Sequence, residues 1–257
     1  MLPYFLLVAG IVMLVLFLIA RDKKSSVLAI IFKTATSLFF IATGLAAVVE
    51  NGVVGGFESK LLPSALVVMG LVLGMVGDIT LDFKIYFKGL EGKYDGVEKD
   101  RDSMMYCGML AFGIGHVLYI TSMAIRFPGY EMNLLWSALG SAAIVGVMFL
   151  VCVYAMKMQF GKFLIPSIAY AFLLCWFVVL SATYVKPAQG SASAGILLAG
   201  AILFVLSDMV LSMTYFSKTA DYERKGMLNP ESRLMIIVNH ATYYLAQFLI
   251  ALSLLFI

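Results

Sequence analysis

Residues 200–216 read GAILFVLSDMVLSMTYF, a run apolar enough to cross a bilayer but for one acid, Asp208. A carboxylate inside hydrocarbon costs about 2.5–3.5 kcal/mol on insertion scales, so its presence needs a reason. A second stretch has the same layout. Residues 70–87, GLVLGMVGDITLDFKIYF, carry Asp78 eight residues after Gly70, as Asp208 follows Gly200. Both runs read as membrane-spanning helices with an acid at membrane depth.

Composition points the same way: 62% of the 257 residues are hydrophobic and 13% are charged, far from the balance of a water-soluble protein. Apolar runs occupy most of the chain and leave no room for a separate soluble core. The expectation is an all-α, polytopic membrane bundle, residues 1–257 forming one integral membrane domain. Cys107, Cys152 and Cys175 all lie in apolar runs, an odd number without paired spacing, and read as packing residues rather than disulfides or metal ligands. The first run, Leu2 to Ala20, has its basic cluster after it and not before it, unlike a signal peptide, and reads as a retained helix. No phosphate loop, dinucleotide fingerprint or basic-aromatic groove argues for nucleotide or nucleic acid.

At about 20 apolar residues per crossing, eight helices are expected, over residues 2–20, 26–49, 61–81, 104–125, 134–156, 163–185, 194–216 and 234–257. Gly, Pro and Asn punctuate the gaps, at Asn51-Gly52, Gly55-Gly56, Phe127-Pro128-Gly129, Lys186-Pro187 and Asn229-Pro230. Of the 18 basic residues, fourteen fall in the loops after the first, third, fifth and seventh helices and three in the opposite loops, with Lys33 inside the second helix. That imbalance predicts cytoplasmic odd-numbered loops and both termini on the non-cytoplasmic side. A bacterial plasma membrane is the assumed location, or the endoplasmic reticulum in a eukaryote. The longest loop, Asp82 to Asp102, mixes charges with Gly89, Gly92 and Gly96 and predicts a solvated linker, with Phe83, Ile85, Tyr86, Phe87 and Leu90 available for the headgroup layer.

The spacings also suggest an internal repeat. Val76-Gly77-Asp78-Ile79-Thr80-Leu81 aligns with Leu206-Ser207-Asp208-Met209-Val210-Leu211, and Tyr-Phe closes both helices at Tyr86-Phe87 and Tyr215-Phe216. In each following helix a histidine precedes a tyrosine by three residues, His116 with Tyr119 and His240 with Tyr243. Four helices separate the copies, which predicts a parallel four-plus-four repeat about an axis along the membrane normal.

Depth gathers the polar residues. At 1.5 Å per residue, Asp78, Lys33, His240 and Asp208 lie roughly 8–12 Å inside the cytoplasmic boundary, with Tyr243 deeper and His116 and Gln247 near the midplane. Polar groups from five helices at similar depth predict one wet pocket open to the cytoplasmic side. Each group also has a plain structural reading. His116 and His240 fit satisfied core imidazoles as well as water-positioning groups. Lys33 fits a side chain whose head reaches the interface as well as one that meets a lipid phosphate. Asn239, Tyr243, Tyr244 and Gln247 suit helix-to-helix hydrogen bonds. Pro166 and Tyr170 suit a kink and its packing partner.

With these residues in view, the chain resembles the YhhN family of multi-pass membrane proteins, whose animal members include lysoplasmalogenase. The resemblance rests on VGDITL, MMYCGMLAFGIGHVLYI, IPSIAYAF, GAILFVLSDMVLS and ATYYLAQFLIALS, and covers nearly the whole chain. The chain departs from the family in having Thr34, not proline, after Lys33, and in the length of the Asp82–Asp102 loop. The resemblance implies hydrolysis of the vinyl ether bond of lysoplasmalogens, alkenylglycerophosphocholine or alkenylglycerophosphoethanolamine, with release of a fatty aldehyde. It implies catalytic roles for Asp78 and Asp208. The chemistry suits two carboxyls, one delivering a proton to the alkene carbon and one activating water toward the oxocarbenium ion, and it needs no metal or other cofactor. Lys33, His116, Tyr119, Asn239, His240, Tyr243 and Gln247 are then the expected substrate-binding residues, and a lysophospholipid and the surrounding lipids the expected partners. Two rivals stand beside this reading: a metal-dependent lipid hydrolase built on the two histidines and two acids, and a proton-coupled carrier.

Overall fold

A computed structural model describes the chain except residues 23–25, 55–56, 89, 91, 127–130, 186–191, 219–220, 222, 224–225 and 228, and the side chains at 22, 26, 53–54, 57–59, 84–85, 88 and 131. The expected gaps at Gly55-Gly56, Phe127–Gly129 and Lys186-Pro187 lie outside the described residues. So do the basic residues Lys23, Lys24, Arg224 and Lys225 and the side chain of Ile85.

Among the described residues eight helices are long and apolar enough to cross a membrane, and the protein is an integral, multi-pass, all-α bundle. They are α1 (Leu2–Asp22), α2 (Ser26–Val54), α3 (Phe57–Lys88), α4 (Val97–Arg126), α5 (Glu131–Leu150), α6 (Leu164–Val185), α7 (Ala192–Phe216) and α8 (Arg233–Ser253). A π-helical turn, Val151–Ala155, continues α5, and 3₁₀ turns precede α6 (Gly161–Phe163) and follow α8 (Leu254–Phe256). The helix counts and apolar spans follow from length and hydropathy, because in lipid every backbone polar group has to be bonded within its own segment.

Two expectations change. The Asp82–Asp102 segment is mostly helical: α3 runs on to Lys88 and α4 begins at Val97, leaving a short turn between them. Gly92 and Gly96 in that turn have φ of 77° and 87°, which glycine adopts without strain. The reason is electrostatic as well as steric. Charged residues that cannot enter lipid extend the helices into water, Glu98 and Asp100 in the first turn of α4 suit its dipole, and Glu98 pairs with Arg101 one turn on. Second, Pro166 is in the first turn of α6, where its missing N–H costs nothing, and it does not mark a mid-helix kink.

Successive helices pack as antiparallel hairpins, α1 on α2, α3 on α4, α5 on α6 and α7 on α8. Further packing joins α2 to α3, α6 to α7, α4 to α6 and α2 to α8. Helices α1 and α5 are peripheral, with Phe5, Val8, Val12 and Val15 of α1 and Leu135, Trp136, Leu139 and Val147 of α5 all exposed, as lipid-facing side chains should be. The interior is aromatic, with Phe17, Phe40, Tyr119, Phe177, Phe204, Tyr244 and Phe248 all but fully buried.

Small residues let the helices close on this core, which is how membrane helices gain packing without a hydrophobic drive. Three glycines on α3 form sockets: a Cβ at Gly70 would lie 2.3 Å from the Tyr119 ring, at Gly74 2.3 Å from the Gln247 amide, and at Gly77 2.7 Å from the Phe112 ring. Gly200 on α7 sits against α8 backbone, its Cβ position 3.1 Å from the Ala246 carbonyl. The chain ends are tied to one face, where Asn51 donates to the Leu254 and Ile257 carbonyls at 2.9 and 3.1 Å and the N-terminal ammonium lies 2.6 Å from Glu50.

Candidate active site

Asp78 and Asp82 are one helical turn apart on α3, so both point toward α2, and there they meet Lys33. The Lys33 ammonium lies 2.8 Å from Asp78 Oδ1 and 3.0 Å from Asp82 Oδ2, and donates to the Asp78 carbonyl at 3.0 Å. Arg21, at the end of α1, is 3.6 Å from Asp82. From α8, the Tyr244 hydroxyl donates to Asp78 Oδ2 at 2.7 Å. Two acids and two bases thus balance in a network drawn from four helices. Lys33 is 3% exposed, and two carboxylates one turn apart give its charge partners inside the bundle.

Asp208 has different surroundings. Its carboxyl accepts a hydrogen bond from the Tyr170 hydroxyl of α6, and among the described residues no lysine or arginine pairs with it. It lines a cavity of about 450 Å³ enclosed by α4, α5, α6 and α7. The walls are almost wholly apolar and rich in methionine, including Met105, Met109, Met148, Met158 and Met209. Methionine's unbranched, adaptable side chain suits a surface that accommodates a flexible aliphatic chain. Polar groups in the wall include Tyr170 and, one turn earlier on α6, Ser167, as well as Ser212 and Thr242, which donate within their own helices. Ser167 Oγ is buried without a hydrogen-bond partner in a residue only 7% exposed.

Asp208 lines this cavity and Asp78 does not. No hydrogen bond joins Asp78 to Asp208 among the described residues, and aromatic rings stand between them: Tyr243 packs 5.0 Å from Tyr244, 5.9 Å from Phe112 and 5.5 Å from Phe204, while Phe112 packs 6.3 Å from Tyr170. Equal depth along a helix does not mean equal direction around it, and the helical rotation of these residues sends them to separate neighbours.

Of the expected site residues, Asp208 is the one that lines this cavity. Lys33 and Asp78 belong to the ion network. Tyr243, Gln247 and Tyr119 form a hydrogen-bonded chain behind the wall: Tyr243 donates to the Gly74 carbonyl at 2.9 Å, the Gln247 amide to Tyr243 at 3.1 Å, and Tyr119 to Gln247 at 3.3 Å. Asn239 accepts from Ser207 at 2.9 Å and links α7 to α8. His116 is ringed by Phe204, Tyr119, Phe177 and Tyr170, with Nδ1 2.8 Å from the Phe112 carbonyl. His240 packs edge-on against Phe17, ring centroids 4.8 Å apart. Among the described residues no three of His, Cys, Asp and Glu converge as metal ligands, so the metal-hydrolase reading finds no ligand set.

Sequence reasoning passed over Tyr170, Ser167, Asp82 and Arg21 as site residues. Asp82 carried a signal, being four residues after Asp78 on a helix, and so did Ser167 and Tyr170, three apart in IPSIAYAF.

A second cavity, about 520 Å³, opens at the end of the bundle where α3 and α7 finish and α4 and α6 begin. It shares Leu81, Met105, Phe160, Tyr215 and Phe216 with the first, so the two are adjacent. The link between α5 and α6 helps to shape it: the Gln159 N–H donates to the Phe216 carbonyl at 2.7 Å, and Tyr215 donates to the Leu81 carbonyl at 3.3 Å.

No curated protein and no solved structure matches the chain significantly. A family model does: described as the YhhN family, it matches residues 28–254, almost from the start of α2 to the end of the chain, and the protein belongs to that family.

Proposed function

We propose that this protein hydrolyses the vinyl ether bond of lysoplasmalogens, and that Asp208 is the proton donor. The observation that carries the reading is the pairing of Asp208 and Tyr170 in the wall of an apolar, methionine-rich cavity within the membrane region. Such a cavity suits one alkenyl chain, and an acid in its wall has no cation to hold it as an anion. Membership of the family supports a lipid substrate.

In the proposed sequence Asp208 transfers its proton to the β-carbon of the vinyl ether, and the alkene electrons form that C–H bond. The ether oxygen shares the resulting cation as an oxocarbenium ion. The Asp208 carboxylate, now facing that cation, takes a proton from the attacking water, which leaves a hemiacetal and restores the acid. Collapse of the hemiacetal gives the fatty aldehyde and the glycerophospho-alcohol. One carboxyl acting first as acid and then as base is familiar from glycosidases. Asp78, ion-paired with Lys33 and hydrogen-bonded by Tyr244, ties α2, α3 and α8 together in the same part of the bundle. Ser167 is the hydroxyl available to the ether oxygen or the water.

We also assign the bundle a parallel four-plus-four repeat with both termini non-cytoplasmic. The matched packing of α2 on α3 with α6 on α7, and of α4 on α6 with α2 on α8, supports it, as does the distribution of basic residues.

The test is product release from purified protein in detergent. Aldehyde from an alkenyl lysolipid, and none from the saturated 1-O-alkyl analogue, is the expected result. Loss of lysolipid without aldehyde, or equal attack on an acyl lysolipid, would overturn the reading.

A further inference from the structure

The methionine-rich cavity is short on the inner side of Asp208. Its lining on α7 runs from Val205 to Phe216, so Asp208 stands three residues from the inner end and eight from the outer one, about 5 Å and 12 Å of helical rise. On α6 the lining stops at Cys175, five residues or about 8 Å beyond Tyr170, the partner of Asp208. A lipid chain in one leaflet spans roughly 15 Å, half of the hydrocarbon core. With its first carbons at Asp208 and its polar end toward Phe216, such a chain meets the inner end of the cavity with about half of its length still to be placed.

The wall is open at the same depth. Leu206 and Met209, which flank Asp208 on α7, line the cavity and yet are 46% and 50% exposed, and Val238 of α8, also in the lining, is exposed as well. Side chains that line a cavity and also lie on the outer surface stand at its rim. Asp208 itself is partly exposed, whereas Asp78 is buried. From this rim an apolar track continues along the outside of α7 and α8, which pack against each other. Ile202, four residues inward from Leu206, and Leu245, seven residues inward from Val238, are both exposed. Those spacings keep each on the same helix face as its rim residue.

We infer that the substrate's chain leaves the cavity sideways between Leu206, Met209 and Val238, so that its first carbons lie beside Asp208 and its far end stays in the bilayer along Ile202 and Leu245. The inference rests on the reading of the cavity as a lipid site. It stands on two observations: the short reach of the cavity beyond Asp208, and the exposed rim at that depth. Such an opening admits a single-chain lipid from within the leaflet without drawing the whole tail out of hydrocarbon. Carbons beyond the rim have the same apolar surroundings bound and free, so they add nothing to affinity.

The experiment measures binding, not turnover, with the purified chain in lipid nanodiscs and saturated 1-O-hexadecyl lysolipids, which contain no vinyl ether. Two probes carry a photoactivated diazirine, one beside the ether and one at the chain end, and crosslinked peptides are mapped by mass spectrometry. The ether-side probe should label the cavity wall around Phe112 and Tyr170. The end probe should label the outer face at Ile202 or Leu245, or bilayer lipid. Labelling of Ala171, Leu174 or Cys175 by the end probe would put the whole chain inside the cavity and overturn the inference alone. An ether-side probe that never reaches the wall would overturn both the inference and the lipid-site reading. Leu206→Trp and Met209→Trp should keep the unfolding temperature, since both side chains face lipid, yet lower ether-side labelling of the wall about tenfold by obstructing the opening. Leu139→Trp, equally exposed on α5 but outside the cavity lining, is the control and should change nothing. No fall in either rim variant, or an equal fall in the control, would also overturn the inference. Chain placement as inferred without aldehyde release from the alkenyl lipid would remove the hydrolase reading and leave the lateral opening standing.

Discussion

Asp78 and Asp208 occupy corresponding places in their helices but differ in their partners. Asp78 is 7% exposed and takes Lys33 and Tyr244, while Asp208 takes Tyr170 and faces a cavity. Removing the Asp78 charge leaves Lys33 and Arg21 to share Asp82 alone, an excess of buried positive charge, and breaking a buried pair typically costs about 3–5 kcal/mol. Asp78→Asn should therefore lower both the unfolding temperature in detergent and the activity. Lys33→Met added to it should restore much of the stability, because the remaining Asp82 still has Arg21. Asp208→Asn breaks no ion pair and keeps an acceptor for Tyr170, so its unfolding temperature should stay near that of the unaltered protein. Its kcat should fall about a hundredfold or more, the usual contribution of a general acid. A strongly destabilised Asp208→Asn protein would mean that the acid is structural. Ser167 gives a finer test. Its buried hydroxyl has no partner, so Ser167→Ala should leave thermal stability unchanged or slightly raised while KM rises. An unchanged KM would make Ser167 a packing residue.

At the scale of helices, the apolar spans were legible because about 20 apolar residues suffice to cross a bilayer. The ends were not. Hydropathy registers the part of a helix in lipid and is silent about the turns that project into water, which is why α4 begins at Val97 and not at residue 104. The acids were legible as costly residues, yet sequence depth carries no direction around the helix axis. Of the two acids expected in one pocket, Asp208 lines the cavity and Asp78 does not. The glycines of α3 and α7 are a further element-scale feature, since they fix how closely the helices approach. At Gly200 a methyl would press on α8 backbone, with the Ala246 carbonyl 3.1 Å and the Ile250 nitrogen 3.3 Å away, and backbone cannot rotate aside as a side chain can. Gly200→Ala should loosen α7 from α8 and cost about 1–3 kcal/mol, the range for overpacking. Scanning fluorimetry in detergent reads this as a lowered unfolding temperature. Gly195, also on α7 but with nothing within 4 Å of its Cβ position, provides the control: Gly195→Ala should not destabilise the protein.

At the scale of the whole bundle, the two halves differ by what fills the space beside each acid. Next to Asp78 the peripheral helix α1 contributes Phe17, 0% exposed and against His240 and Tyr244, and the ion network occupies the rest. Next to Asp208 the corresponding helix α5 contributes Met148 and Phe149 to the wall of a cavity. On the proposed repeat and function, one half closed by charge pairs and the other open to a lipid chain would account for two acids with unlike roles. The opening of that cavity toward α4 and α6 matters only if this end faces the leaflet that supplies substrate, so sidedness is part of the functional argument. On the proposed topology this end faces the cytoplasm. Cysteine labelling tests the point after Cys107, Cys152 and Cys175 are replaced by alanine. Tyr94, 68% exposed in the turn between α3 and α4, and Phe256, 42% exposed near the C-terminus, are changed singly to cysteine. In intact cells a membrane-impermeant maleimide should label Phe256→Cys, whereas Tyr94→Cys should react only after permeabilisation. The reverse pattern would turn the cavity mouth to the opposite leaflet and require the lysolipid to arrive from outside the cytoplasm.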